Sequence, residues 1–130
     1  MQRVTGIGGV FFKAKDTKAL AAWYQKHLGI PFGENSYHSF KWLNENNPAV
    51  PGQTVFSFFG AGSDYFSPSE KPFMINFRVK DLEALLKVLE EEGVEVVGKA
   101  VDYGEYGKFG WCMDPEGNKI ELWEPLDEKL

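Results

Sequence analysis

Gly9-Val10-Phe11-Phe12-Lys13-Ala14-Lys15-Asp16 and Met74-Ile75-Asn76-Phe77-Arg78-Val79-Lys80-Asp81 read alike, and the likeness continues downstream. Each is an apolar run ending in an aspartate. Each aspartate precedes an amphipathic stretch, Thr17 to Leu28 in one copy and Leu82 to Glu92 in the other. Each stretch stops at a glycine, Gly29 or Gly93. The offset is 65 residues, half of the 130-residue chain. A fixed offset of this kind is the mark of an internal duplication.

The apolar runs alternate with period two, so they are read as strands. Val10, Phe12 and Ala14 share one face, as do Ile75, Phe77 and Val79. These faces are expected to meet the helices. The opposite faces carry Gly9, Phe11 and Lys13 in one copy and Met74, Asn76 and Arg78 in the other. A sheet covered by helix on one side leaves such a mixed face free to line a cavity. In the amphipathic stretches Leu20, Tyr24 and Leu28 repeat at helical spacing, and Leu82, Leu85, Leu86 and Leu89 form a similar stripe. Asp16 or Thr17 can cap the first helix and Asp81 the second by accepting free backbone N–H groups.

After each helix the chain returns to short strands, read as Phe32–Asn35, His38–Leu43 and Thr54–Phe59 in the first half. The second half gives Val94–Val101, Tyr106–Met113 and Lys119–Trp123. Asn47-Pro48 and Pro51-Gly52 punctuate the first half, and Asp114-Pro115-Glu116-Gly117-Asn118 makes a turn between the last two strands. The Gly-, Ser- and Pro-rich stretch after residue 60 is read as the link between halves. Its Tyr65 and Phe66 either cover an apolar surface or pack as ordinary loop residues. The expected organisation is a single domain over 1–130, with modules 1–60 and 73–130 joined by linker 61–72.

Composition narrows the function. Nineteen acidic residues against fourteen Lys and Arg give a net charge of −5. No basic block exists, so nucleic acid is not an expected partner. No apolar run is long enough to cross a bilayer, so no membrane partner is expected. The N-terminus lacks the basic and apolar regions of a signal peptide, and a single Cys112 cannot pair within the chain; the expected location is cytoplasmic. The unusual figure is 15% aromatic residues.

Three segments carry a family resemblance: Val10 to Gly29 with its Trp23-Tyr24-Gln25-Lys26-His27-Leu28-Gly29-Ile30 ending, Phe73 to Gly93, and Phe109 to Trp123 with its Asp-Pro-x-Gly-Asn turn and following glutamate. Together they resemble the vicinal oxygen chelate superfamily, which includes glyoxalase I, bleomycin resistance proteins and extradiol dioxygenases. The resemblance implies an α+β fold of two β-α-β-β-β modules whose mixed sheets curl into a cup, helices outside and ligand inside. It also implies up to four metal ligands, one from the opening and one from the closing strand of each module. Carried over residue by residue, those positions hold Gly9, Phe56 or Phe58, Met74 and Glu121. One carboxylate is not a catalytic metal site, which normally needs three protein ligands. No metal and no other cofactor is expected.

Alternation on the last strand turns Glu121 away from Ile120 and Leu122 and toward the cup. Arg78 shares a cup face with Asn76. The two charges form a silent ion pair, or Arg78 binds an anionic ligand group, or Glu121 serves as a catalytic base; the last makes Glu121 the best catalytic candidate if the chain is an enzyme. Tyr37, Tyr103 and Tyr106 are candidate proton donors. Phe11, Phe56 or Phe58, Trp42, Trp111 and Trp123 are expected to line an apolar cup, with His38 facing it from a strand. Cys112 reads as a buried spectator thiol. Aromatic walls suit a planar or amphipathic small molecule. The leading expectation is a metal-independent small-molecule binding protein of the glyoxalase/bleomycin-resistance type. The alternatives are a glyoxalase-like lyase or isomerase acting on a small carbonyl or thiol adduct, and a protein-interaction module with a closed cup. The resemblance implies a homodimer, since family members commonly pair modules between chains or pack two complete cups together, and the many aromatics on a short chain are a weaker hint of apolar surface left to cover.

Overall fold

The computed structural model describes residues 2–45 and 48–129, so Asn47 of the expected turn lies outside the described residues. The elements run β1 (Val4–Ala14), α1 (Thr17–Leu28), β2 (Tyr37–Trp42), β3 (Gly52–Gly60), β4 (Phe73–Val79), α2 (Leu82–Glu91), β5 (Val101–Asp102), β6 (Lys108–Met113) and β7 (Lys119–Glu124). The strands form one mixed, seven-stranded sheet in the order β2-β3-β1-β4-β7-β6-β5. In each half the opening strand pairs in parallel with the closing strand, β1 with β3 and β4 with β7. The halves join through antiparallel β1 and β4, with Phe11 opposite Met74 and Gly9 opposite Asn76. Both modules therefore meet within one chain.

The helices cover one face. Asp16 caps α1 by accepting from the Ala19 N–H, and Asp81 caps α2 by accepting from the Ala84 N–H. Leu82, Leu85 and Leu86 pack on Val79, Cys112 and Leu122. Burying each such leucine contributes about 1.5–3 kcal/mol. The first half is looser. Ala21 is the buried residue of α1, packed with Ala14, Phe32 and Phe58. Leu28, expected on the apolar stripe, is 61% exposed.

Two expected strands differ. Phe32–Asn35 is irregular chain; Phe32 is apolar because it fills the α1 core against Phe58, not because it pairs. Val94–Val101 reduces to a bridge between Val96 and Cys112 and the short β5. Gly98 interrupts it at φ +68°, a conformation incompatible with a continuous strand. The first half thus has three strands and the second four.

The linker folds onto the sheet face opposite the helices. Phe66 is fully buried against Phe11 and Met74, and the Lys13 N–H donates to the Pro72 carbonyl at 2.8 Å. Half of the cup is closed by the chain itself.

Candidate functional site

The open half of the cup is a cavity of ≈ 470 Å³. Its walls come from both halves. Strands β2 and β3 present Tyr37, Ser39, Gln53, Val55, Ser57 and Phe59. Phe109 and Trp123 stand opposite on β6 and β7, stacked with centroids 5.8 Å apart. Tyr103 and Tyr106 stand at the rim, 52% and 66% exposed. The Trp123 indole N–H donates to the Tyr106 carbonyl at 2.7 Å and so holds the rim turn to the wall.

Glu121 lies in the lining yet is only 2% exposed. Three donors hold it. The Asn76 amide donates to Oε1 at 2.7 Å. The Tyr65 hydroxyl and the Trp111 indole N–H donate to Oε2 at 2.5 and 2.8 Å. Register explains the cluster, since Glu121 sits between Asn76 on β4 and Trp111 on β6. Burial, then the charge of Glu121, push the Tyr65 hydroxyl well above the usual phenol range. Behind this group Lys119 lies 5.5 Å from the Tyr65 ring centroid and 5.4 Å from that of Trp111, and donates to the Tyr65 carbonyl at 2.7 Å. Burial lowers the Lys119 pKa against the pull of Glu121 and Asp64.

Asn76 fits only because residue 8 is glycine. A Cβ there would lie 2.1 Å from Asn76 Oδ1 and 2.9 Å from the Trp123 ring. Asn76 Oδ1 itself is buried with no donor among the described residues.

The expected site residues divide into three groups. Phe11, Asn76, Glu121 and Trp123 line the cavity, with Trp111 directly behind, bonded to Glu121. Phe56, Phe58 and His38 do not line it. Phe56 and Phe58 pack with Tyr24 and Phe32 on the helix side, and His38 pairs with Phe56 and packs against Phe40. The strand β3 has phenylalanine on both faces, so alternation gave no signal there, and Val55, Ser57 and Phe59 take the cup side instead. Arg78 and Trp42 form a separate cluster. The guanidinium is fully buried, 5.1 Å from the Trp42 ring and 5.4 Å from the Trp123 ring. It pairs with Asp127 and donates to the Gln53 carbonyl at 3.4 Å. Arg78 therefore pairs with Asp127 rather than Glu121, and no arginine lines the cavity among the described residues. Cys112 is buried in the α2 core, where burial raises its thiol pKa.

Residues 6–122 match the Glyoxalase/Bleomycin resistance protein/Dioxygenase superfamily. The chain belongs to this superfamily. No curated protein shows significant similarity. Methylmalonyl-CoA epimerase from Mycobacterium tuberculosis is a structural neighbour at 21% identity and TM-score 0.60, covering 94% of this chain and 89% of that one. A Streptomyces coelicolor methylmalonyl-CoA epimerase variant in complex with 2-nitronate-propionyl-CoA aligns at 15% identity and TM-score 0.67, over 94% and 95%. A Legionella pneumophila chain described as NAD-dependent benzaldehyde dehydrogenase aligns at 11% and TM-score 0.59, over 90% and 97%. Such distant likenesses show the fold, not a shared activity.

Metal-using members of the superfamily hold a divalent metal in the cup, and the residues here do not fit one. Gly9 offers no donor, and a Cβ at that position would meet the Phe11 ring at 2.7 Å. Met74 is fully buried beneath the linker with Phe66. On β3 the cup-facing residues are Val55, Ser57 and Phe59 rather than Phe56 or Phe58. Glu121 is the carboxylate that remains, and Tyr65, Asn76 and Trp111 already occupy its oxygens. Among the described residues no group of three or more His, Cys, Asp or Glu side chains is placed to hold a metal. No helix is long and apolar enough to cross a membrane.

Proposed function

We propose that the chain is a small-molecule binding protein that takes a planar or amphipathic ligand in its cup without a metal of its own. One observation carries this reading. The cup is an aromatic cavity of ≈ 470 Å³, within the usual range for small-molecule sites, and the one carboxylate among its described lining residues is saturated by protein donors. Flat rings have Trp123, Phe109 and Phe11 to lie against, while Ser39, Gln53 and Ser57 offer neutral hydrogen-bonding groups along the opposite wall. The test is a titration of chelator-treated protein with a panel of planar heteroaromatic compounds, read by tryptophan fluorescence. One site per chain, unaffected by chelator, is expected. A requirement for added divalent metal contradicts the reading.

A second reading is an isomerase or lyase in which Glu121 moves a proton. It is favoured by the carboxylate at the cavity floor and by the epimerase neighbours. Against it, all three donors must shift before either oxygen can accept a substrate proton. Loss of turnover on Glu121→Gln, with binding retained, would select this reading over sequestration. The homodimer is also a proposal, tested by light scattering; a 14.7 kDa species at all concentrations opposes it.

A further inference from the structure

The charge in the described lining of the cup is all of one sign. Glu121 is the one carboxylate among them, and no Lys, Arg or His side chain contributes to the described lining. Lys119, the nearest cation, stands behind the Tyr65 and Trp111 rings and is bonded to a backbone carbonyl. Lys41, the next residue on the cup-facing row of β2, is exposed and outside the lining. Arg78 is withdrawn between two indoles and paired with Asp127. Beside Glu121, Asn76 Oδ1 is a further buried acceptor with no donor among the described residues, packed against Gly8.

Apart from Val55 and the neutral Ser39, Gln53 and Ser57, the rest of the lining is mostly π-electron surface. Phe109 and Trp123 form a parallel stack on one side. Phe59 and Tyr65 form another, with centroids 5.2 Å apart and planes 11° from parallel. Tyr37, Tyr103 and Tyr106 are each more than half exposed where the cavity opens. Aromatic faces carry the negative end of the ring quadrupole and attract cations, most strongly where water is excluded. A carboxylate at the floor and rings around the sides point to the same charge.

We propose that the cup selects an organic cation: a flat heteroaromatic ring carrying a positively charged nitrogen, its charge directed toward Glu121 and its faces against the aromatic walls. The inference rests on reading the cup as a ligand site, and it names that ligand's charge. An anionic ligand, which Arg78 would have suited had it faced the cup, has no cationic partner there among the described residues and meets Glu121 with like charge.

The experiment compares three ligands of one shape at neutral pH by calorimetry: N-methylquinolinium, quinoline and quinoline-carboxylate. The cation should bind about tenfold tighter than the neutral ring, and the anion weakest. Glu121→Gln should shrink the cation-to-neutral ratio to within about twofold. Should that variant fail to fold, Tyr106→Leu at the exposed rim serves instead. It should weaken the cation by about threefold and the neutral ring by less. Equal affinity for cation and neutral ring, or preference for the anion, overturns the charge assignment while leaving the ligand site standing. A ratio unchanged by both variants overturns it as well. Failure of all three ligands, with no hit from the wider panel, overturns the ligand site itself and this inference with it.

Discussion

Two buried polar clusters lie side by side on the cup face of β4 and β7, and they differ in one respect. Arg78 is enclosed on every side, by two indoles, Asp127 and a backbone carbonyl. Glu121 is held almost as tightly, by Tyr65, Asn76 and Trp111, but one side of its cluster faces a cavity. Both charges are satisfied, so satisfaction does not separate structure from function. Open space does. The Arg78 cluster pins the C-terminal turn to the end of β2, since Asn44 also donates to Asp127 at 2.8 Å. The Glu121 cluster ties the linker to the cup floor and presents an acidic edge to whatever enters.

The comparison breaks most visibly at Arg78. Arg78→Ala leaves Asp127 without its buried cation and opens a void between two indoles, so urea unfolding should show a loss of about 3–5 kcal/mol. The double variant Arg78→Met with Asp127→Leu should recover much of it, because an apolar pair needs no charge partner. In both, ligand affinity per folded molecule should stay close to that of the parent. Loss of affinity in a variant that is still folded would place Arg78 in the site after all.

Gly8→Ala tests the other cluster. The added methyl collides with Asn76 Oδ1 and Trp123, so stability should fall by about 1–3 kcal/mol and ligand affinity should fall with it. Gly60→Ala, where a Cβ meets nothing within 4 Å, should leave both unchanged. An equal effect of the two substitutions would contradict the tight packing of Asn76 against β1.

A smaller, pH-resolved effect belongs to Tyr65. Its folded pKa is raised, by burial first and then by Glu121. Above the unfolded pKa near 10 the unfolded chain loses this proton and the folded chain keeps it. Stability should therefore fall as pH rises above about 10, with a slope from this group of about 1.4 kcal/mol per pH unit. The neutral hydroxyl's contribution is fully present below that pH. Tyr65→Phe should remove this part of the slope and, at neutral pH, cost about 1 kcal/mol for the lost hydrogen bond. Alkaline melts of both proteins measure it. An unchanged slope in Tyr65→Phe would mean the folded hydroxyl is not kept protonated above the unfolded pKa.

Much of this was legible in the sequence where a physical rule has one outcome. The 65-residue repeat, the aspartate caps and the helix-facing rows of β1 and β4 follow from period and polarity; alternation turns Glu121 off the helix side, and the family resemblance supplies the cup it faces. Legibility ended where a strand is apolar on both faces. Phe56, Phe58 and Phe59 in β3 carry no alternation, and the residues that line the cup there, Val55 and Ser57, are smaller and less conspicuous. His38 was misplaced with them because it pairs opposite Phe56. Nor does any local pattern reveal long-range partners. Tyr65 lies in a linker with no period, 56 residues from Glu121; its aromatic character beside Phe66 was the available signal. Asp127, which takes Arg78 away from the cup, lies beyond the last strand.

The central claim is that the protein's own donors hold Glu121 where the superfamily places a metal, and that the cavity beside it takes a ligand. The indole N–H region of a ¹H–¹⁵N spectrum reports both, because Trp111 donates to Glu121 and Trp123 lines the cavity. Zinc added to chelator-treated protein should leave the Trp111 signal in place, and N-methylquinolinium should shift that of Trp123. A Trp111 signal that moves and saturates at one zinc per chain, with Trp123 indifferent to the organic ligand, would contradict the account.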